Sequence, residues 1–163
     1  MGVFKKWLNE VVVDCPYGIF AKALPTTDSV VAIKQRFKHY ADLREDLHVT
    51  VIFSKTPAHS IDLPKVDRDE RYQATSHGLD WWEGHDKNGY LVLRLTSPSL
   101  NRLNKRFTDA GLVPTFPDYK AHMTLLTPCK VKPITMAMDI EQLQKDPLEI
   151  ELYYGGYTIM DKR

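Results

Sequence analysis

Apolar residues recur along this chain with two periods, and each switch between them marks a new element. A period of two runs through YGIFAKAL (17–24), LHVTVIF (47–53), ERYQATSHGLDWW (70–82), LVLRLT (91–96), KAHMTLLTP (120–128) and LEIELYYGGYTIM (148–160), which read as strands. A helical period holds over TTDSVVAIKQRFKHYADL (26–43), where Val30, Ile33, Phe37 and Tyr40 form one stripe. It holds again over SPSLNRLNKRFTDAGL (97–112), with Leu100, Leu103, Phe107 and Ala110. Both stripes have the spacing of a helix lying on a sheet. Ser97 suits an N-cap, Pro98 a first helical turn and Gly111 a C-terminal stop. The opening MGVFKKWLNEVVVDCP (1–16) reads as a short amphipathic helix packed on the domain. It lacks the cleavable pattern of a signal peptide, and Lys6 stands where N-myristoylation wants Ser or Thr.

The order of elements repeats. In each half a strand leads to a helix, and the helix leads to a strand bearing His-x-Thr: His48 and Thr50 in the first, His122 and Thr124 in the second. Side chains alternate along a strand, so each histidine shares a face with its threonine. Val49, Val51 and Phe53 point the other way in the first copy, Met123 and Leu125 in the second. The gap from helix to histidine is longer in the second half, filled by VPTFPDYKA (113–121). A proline-containing loop and a further strand follow each motif. Duplication of one unit, with halves at about 17–82 and 90–160 of a single domain spanning 1–163, predicts two lobes related by a pseudo-twofold axis. The two His-x-Thr faces would then look at each other across a groove.

Two imidazoles facing one groove suit proton transfer near neutral pH. In phosphodiester cleavage one proton leaves the attacking hydroxyl and another must reach the departing oxygen, so a neutral and a protonated histidine divide the work. A threonine hydroxyl can donate to a non-bridging phosphate oxygen and stabilise the charge building there. Zinc wants three or four ligands of the His, Cys, Asp or Glu type. Two histidines with two threonines supply too few, so no metal or other cofactor is expected. The plain alternative is that both histidines are merely half-buried strand residues. There is no GxSxG and no cysteine in a nucleophile setting. The remaining histidines, His39, His59, His77 and His85, fall in a helix or polar loops and read as surface residues.

Charge narrows the ligand. Lys and Arg number 22 against 21 acidic residues, a net of +1. A protein that tracks a long nucleic acid usually carries a basic excess, so near-neutrality favours a small ligand over a long polyanion. Cys15 and Cys129 form no CxxC and fit a reducing cytoplasm. No apolar run reaches transmembrane length. A cytoplasmic protein with no membrane and no obligate protein partner is the expectation.

The paired motifs LHVTV and AHMTL resemble those of the 2H phosphoesterase superfamily, which includes the 2′,5′ RNA ligase-like cyclic phosphodiesterases, and the resemblance runs from about residue 17 to 160. It implies an α+β, bilobal fold with pseudo-twofold duplication, two mainly antiparallel sheets forming a central cleft, and helices outside. It assigns catalysis to His48, Thr50, His122 and Thr124. Ala121 stands where the superfamily usually has a proline before the second histidine. A narrower similarity, to the phage anti-CBASS phosphodiesterases, is carried by DLHVTVIFS, by LVLRLTSPSLNRLNKRF and GLVPTFPDYKAHMTL, and by the Trp81–Trp82 pair. Those enzymes degrade the cyclic oligonucleotide messengers of bacterial antiphage immunity. The similarity implies metal-independent opening of 3′,5′ linkages in cyclic di- and trinucleotides by attack of the 2′-hydroxyl. It also favours Tyr17 and Trp82 as a base sandwich, leaving Trp81 to the core.

From the residues themselves, bases stack on exposed aromatics, and Tyr119 is a further candidate beside the second motif. Lys120 is a candidate to neutralise phosphate charge. Glu149 and Glu151 are either acceptors for a base edge or a solvated strand face. Two other functions stay open. One is a 2′,3′-cyclic phosphodiesterase or RNA-end-processing enzyme of the same superfamily. The other is a non-catalytic sponge that sequesters the messenger, against which the two intact proton-transfer pairs argue.

Overall fold

The structure, a computed structural model, describes residues 12–84, 86–126 and 128–162. In chain order its elements are β1 (Val12–Cys15), β2 (Ile19–Pro25), α1 (Thr27–Arg36), β3 (Val49–Ser54), β4 (Ala58–Asp62), β5 (Tyr72–Glu83), β6 (Gly89–Thr96), α2 (Pro98–Asp109), β7 (His122–Thr124), α3 (Met136–Lys145) and β8 (Leu148–Ile159). The fold is mixed α+β with two antiparallel sheets.

The two sheets are unequal in size. Six strands close into a barrel in the order β2-β3-β7-β6-β5-β8, while β1 and β4 form a separate two-stranded ribbon. Closure comes from β5 and β8, each 12 residues long. That length lets β5 pair with β6 along one part and with β8 along another, and β8 pairs onward with β2. Exchanging β2, β3 and β5 for β6, β7 and β8 leaves the circular order unchanged.

The middle of each apolar stripe is buried, while Val30, Tyr40 and Ala110 are half-buried. Ile33 and Phe37 beneath α1, and Leu100, Leu103 and Phe107 on α2, are at most 1% exposed, as are Val49, Val51, Leu91, Leu93, Met123 and Leu125 on or beside the strands. Each such side chain contributes about 1.5–3 kcal/mol relative to exposure. Ser97 caps α2 through its hydroxyl, which accepts from the Leu100 amide, and Gly111 follows the helix at φ 108°.

Three expectations change. The first helix ends at Arg36 instead of running to Leu43, and Tyr40, beyond its end, donates its hydroxyl to Asp139 of α3. That third helix did not announce itself: only Met136 and Leu143 are buried along it, too sparse a stripe for periodicity to reveal. At the start, Val12–Cys15 is a strand paired with β4, as β-branched valines prefer. The amphipathic helix read over the opening otherwise falls on residues 1–11, outside the described residues. Gly18, at φ 103°, then turns the chain from β1 into β2. A Cβ there would lie 2.0 Å from the Ser54 carbonyl oxygen, so glycine is required and Tyr17 sits in a turn.

Candidate active site

β3 and β7 meet through one register pair, Val49 opposite Met123. Because the strands are antiparallel, the flanking residues cross over: Thr50 lies opposite His122, and His48 lies opposite Thr124. Both neighbours of a paired core residue project to the other face. All four motif side chains are therefore on one face, each half-buried, with fully buried Val49 and Met123 beneath them. The core face fixes this register, since a slip of one residue would turn Val49 and Met123 outward.

The two rings are held alike. His48 Nδ1 lies 2.8 Å from the Asp46 carbonyl oxygen, and His122 Nδ1 lies 2.8 Å from that of Lys120. A carbonyl only accepts, so Nδ1 carries the proton in both and Nε2 is left for chemistry. An edge-on Phe20 ring lies 5.9 Å from His48, and the Trp82 indole lies 4.5 Å from His122. Burial pushes the His122 pKa below its ordinary value, partly opposed by the Lys120 carbonyl and helped by the charge of His48. The shift favours the neutral form of the His122 ring.

A bulge reshapes β3 just past the motif. Lys22 pairs with Thr50 but Ala21 pairs with Ile52, which makes Val51 an extra residue. Ile52 consequently returns to the core side, 1% exposed, and Phe53 moves onto the Thr50 face, half-buried. Phe53 was expected in the core, and the bulge corrects that. Beyond its single pair with β7, β3 has its carbonyls taken by other groups. The Tyr119 hydroxyl donates to Thr50 O at 2.7 Å, Asn104 of α2 to Val51 O at 2.8 Å, and the Thr115 amide to Phe53 O at 2.8 Å. Burial pushes the Tyr119 phenol well above its usual range, so it acts here as a fixed donor.

Where β3 and β7 part, a cavity of about 500 Å³ opens, walled by Thr50, Phe53, Trp82, Phe116, Tyr119, Lys120 and His122 among others. The long insertion 113–121 forms one side of it, with Phe116 71% exposed. Of the expected substrate-contacting residues, Trp82, Tyr119 and Lys120 come together here. Tyr17 does not: it is 45% exposed in its turn and lines none of this cavity. Trp81 points away from Trp82 and packs half-buried against the core, its indole lying over Gly89. Glu149 and Glu151 line a different, polar hollow near the start of α1, where Glu151 accepts from Gln73.

Periodicity alone passed over several contributors. Phe53 was hidden by the bulge, and Asn104 by its place on a polar helix face. Arg94 and Lys22 extend the row of His122 and Thr50 on either side, as the register partners of those two residues. Arg94 did carry a signal, as the single charge in the apolar strand LVLRLT. Among the remaining histidines, His39 pairs with Asp139 and His59 with Asp14, both at the surface. Cys15 and Cys129 are free thiols. Among the described residues, no group of three or more His, Cys, Asp or Glu side chains is placed to hold a metal ion, and no helix is long and apolar enough to cross a membrane.

Comparison with known proteins bears directly on this site. Residues 19–153, which contain both His-x-Thr pairs, match the family model "Anti-CBASS protein Acb1". A curated relative of that name from Vibrio phage KVP40 is 27% identical over 109 residues, covering 66% of this chain and 69% of the relative.

Proposed function

Because the chain belongs to the Acb1 family of anti-CBASS proteins, we propose that it is a metal-independent phosphodiesterase that opens 3′,5′ linkages of cyclic di- and trinucleotide messengers and so counters CBASS. One observation carries this reading. A single register pair sets two Nδ1-anchored imidazoles and two threonine hydroxyls on one face of adjacent strands. The strand order, unchanged when the halves are exchanged, supports the duplicated, two-lobed 2H phosphoesterase plan with its catalytic groups between the halves.

The chemistry follows from these atoms. A 2′-hydroxyl attacks the neighbouring phosphorus, and the new O2′–P bond forms as the P–O5′ bond breaks. His122, kept neutral by burial, takes the 2′ proton on Nε2. His48, protonated, gives its Nε2 proton to the departing O5′. Thr50 and Thr124 donate hydrogen bonds to the non-bridging oxygens as charge grows there. The products are a 2′,3′-cyclic phosphate at one end and a 5′-hydroxyl at the other. The aromatic cavity beside His122 suits a base, with Lys120 at its edge to offset phosphate charge.

The decisive assay incubates the protein, in the presence of a chelator, with cyclic dinucleotides, cyclic trinucleotides and an RNA ending in a 2′,3′-cyclic phosphate, and resolves the products. Linear nucleotides from the rings are expected. Cleavage of the RNA end alone would make the chain an RNA-end-processing enzyme, and tight binding without products would make it a sponge.

Base stacking predicts a second result. Trp82→Ala is expected to raise KM for a cyclic dinucleotide roughly 5- to 150-fold, since each stacked base is worth about 1–3 kcal/mol. Tyr17→Ala should act in the same direction if its exposed ring closes over the other face of the base. Unchanged KM in both variants discards the sandwich.

A further inference from the structure

A second cavity of about 430 Å³ adjoins the first, and Tyr119 and Lys120 line both. Its charged and titratable lining side chains, besides the Tyr119 phenol, are Arg94, Lys120 and His77, with no carboxylate among them. In a chain whose charges nearly balance, that is a local bias. Two other hollows carry carboxylates, Asp28, Glu149 and Glu151 in one and Asp139 in the other, while a third is lined by Arg68 and Arg71 but lies apart from the His-x-Thr face.

Arg94 is the residue to follow. It is the register partner of His122, so it leaves the sheet on the catalytic face, in the row of His122 and Thr50. Its guanidinium runs away from His122 and lies on Gly78 of β5, where an added Cβ would fall 2.3 Å from a terminal nitrogen. Asp80 holds it from one side, 3.4 Å from Nε, and that leaves the two terminal NH2 groups as donors. Adjacent strands are roughly 4.8 Å apart. With β7 and β6 lying between β3 and β5, the guanidinium over β5 thus sits about two to two and a half strand widths from a phosphorus held between β3 and β7, in the cavity that Tyr119 and Lys120 join to the first. A planar fork of donors at that remove suits a phosphate.

We propose that Arg94, with Lys120, forms a second anion subsite that holds a phosphodiester of the substrate other than the one being cut. The inference rests on the phosphodiesterase reading above and adds a selection rule to it. Ligands with at least two phosphates, such as cyclic di- and trinucleotides, gain the contact. A mononucleoside 2′,3′-cyclic phosphate has no second phosphate and gains nothing. Gly78 is part of the subsite, because its bare backbone is the bed that lets the guanidinium lie flat.

Calorimetric titration tests this in a His48→Ala background, where turnover is slowed about 10²–10⁴-fold. Adding Arg94→Gln should weaken binding of a cyclic dinucleotide about 10- to 100-fold, the usual worth of charge-assisted hydrogen bonds. Binding of a mononucleoside 2′,3′-cyclic phosphate should stay within about twofold. Gly78→Ala, which displaces only the flexible end of Arg94, should reproduce part of the selective loss with melting temperature unchanged. Equal losses for both ligands, or none for either, overturn the subsite while leaving the phosphodiesterase reading intact. A parent protein that neither binds nor cleaves the cyclic dinucleotide overturns both.

Discussion

Replacing His122 by alanine is expected to lower turnover of a cyclic dinucleotide about 10²–10⁴-fold, the ordinary worth of a general acid or base. The effect should fall on kcat, because the lost group moves a proton and does not grip the ligand. His48→Ala should cost a similar factor. The double variant should be little worse than either single one, since the two act in one concerted transfer. The pH profile separates their roles. A base must be neutral, and burial holds His122 below the ordinary 6.5. The wild-type kcat/KM should therefore rise with pH through an apparent pKa lying below that value. His122→Ala should abolish this acid limb, and a limb that survives the substitution would transfer the base role elsewhere. Normal turnover by either alanine variant would remove that histidine from the mechanism.

The second large effect concerns stability and comes from a residue that touches no substrate. Met123 lies between His122 and Thr124, is 0% exposed, and is the β7 partner in the one register pair joining β7 to β3. Met123→Ala should destabilise the fold by about 2–5 kcal/mol, through lost burial plus the cavity left behind. For a chain of this length each kcal/mol is worth roughly 2–4 °C of melting temperature, so a fall of about 4–20 °C is expected by calorimetry. Met123→Leu keeps the volume and should cost under about 1.5 kcal/mol. In Met123→Ala the relaxed pair should also loosen the alignment of His122 with Thr50, lowering kcat at temperatures where the protein is still folded. A melting temperature within about 2 °C of wild type would mean that β7 is held by its pairing with β6 alone.

Legibility differed sharply between local and non-local features. The stripes of α1 and α2, the Ser97 cap and the strands carrying His48 and His122 were readable, because each depends on neighbours within a few residues. The face shared by histidine and threonine was readable for the same reason. Phe53 was misread, since an extra residue at Val51 reverses the alternation and nothing within β3 itself marks the bulge. The carbonyls of that segment are met by Asn104, Thr115 and Tyr119 from far along the chain. Tyr119 was singled out as a stacking ring, and its hydroxyl anchors β3 at the Thr50 carbonyl.

Amino-acid order alone determined which groups are available for chemistry, two imidazole–hydroxyl pairs, and that each pair faces away from its own core. A strand's period of two requires that much. It did not determine that the pairs oppose each other crosswise, that both rings present Nε2, or that Arg94 stands in line with them on a bed of glycine. Those were decided when β5 and β8 closed the barrel and brought β3 against β7, because register between distant strands is set by burying Val49 and Met123 together and by nothing local to either.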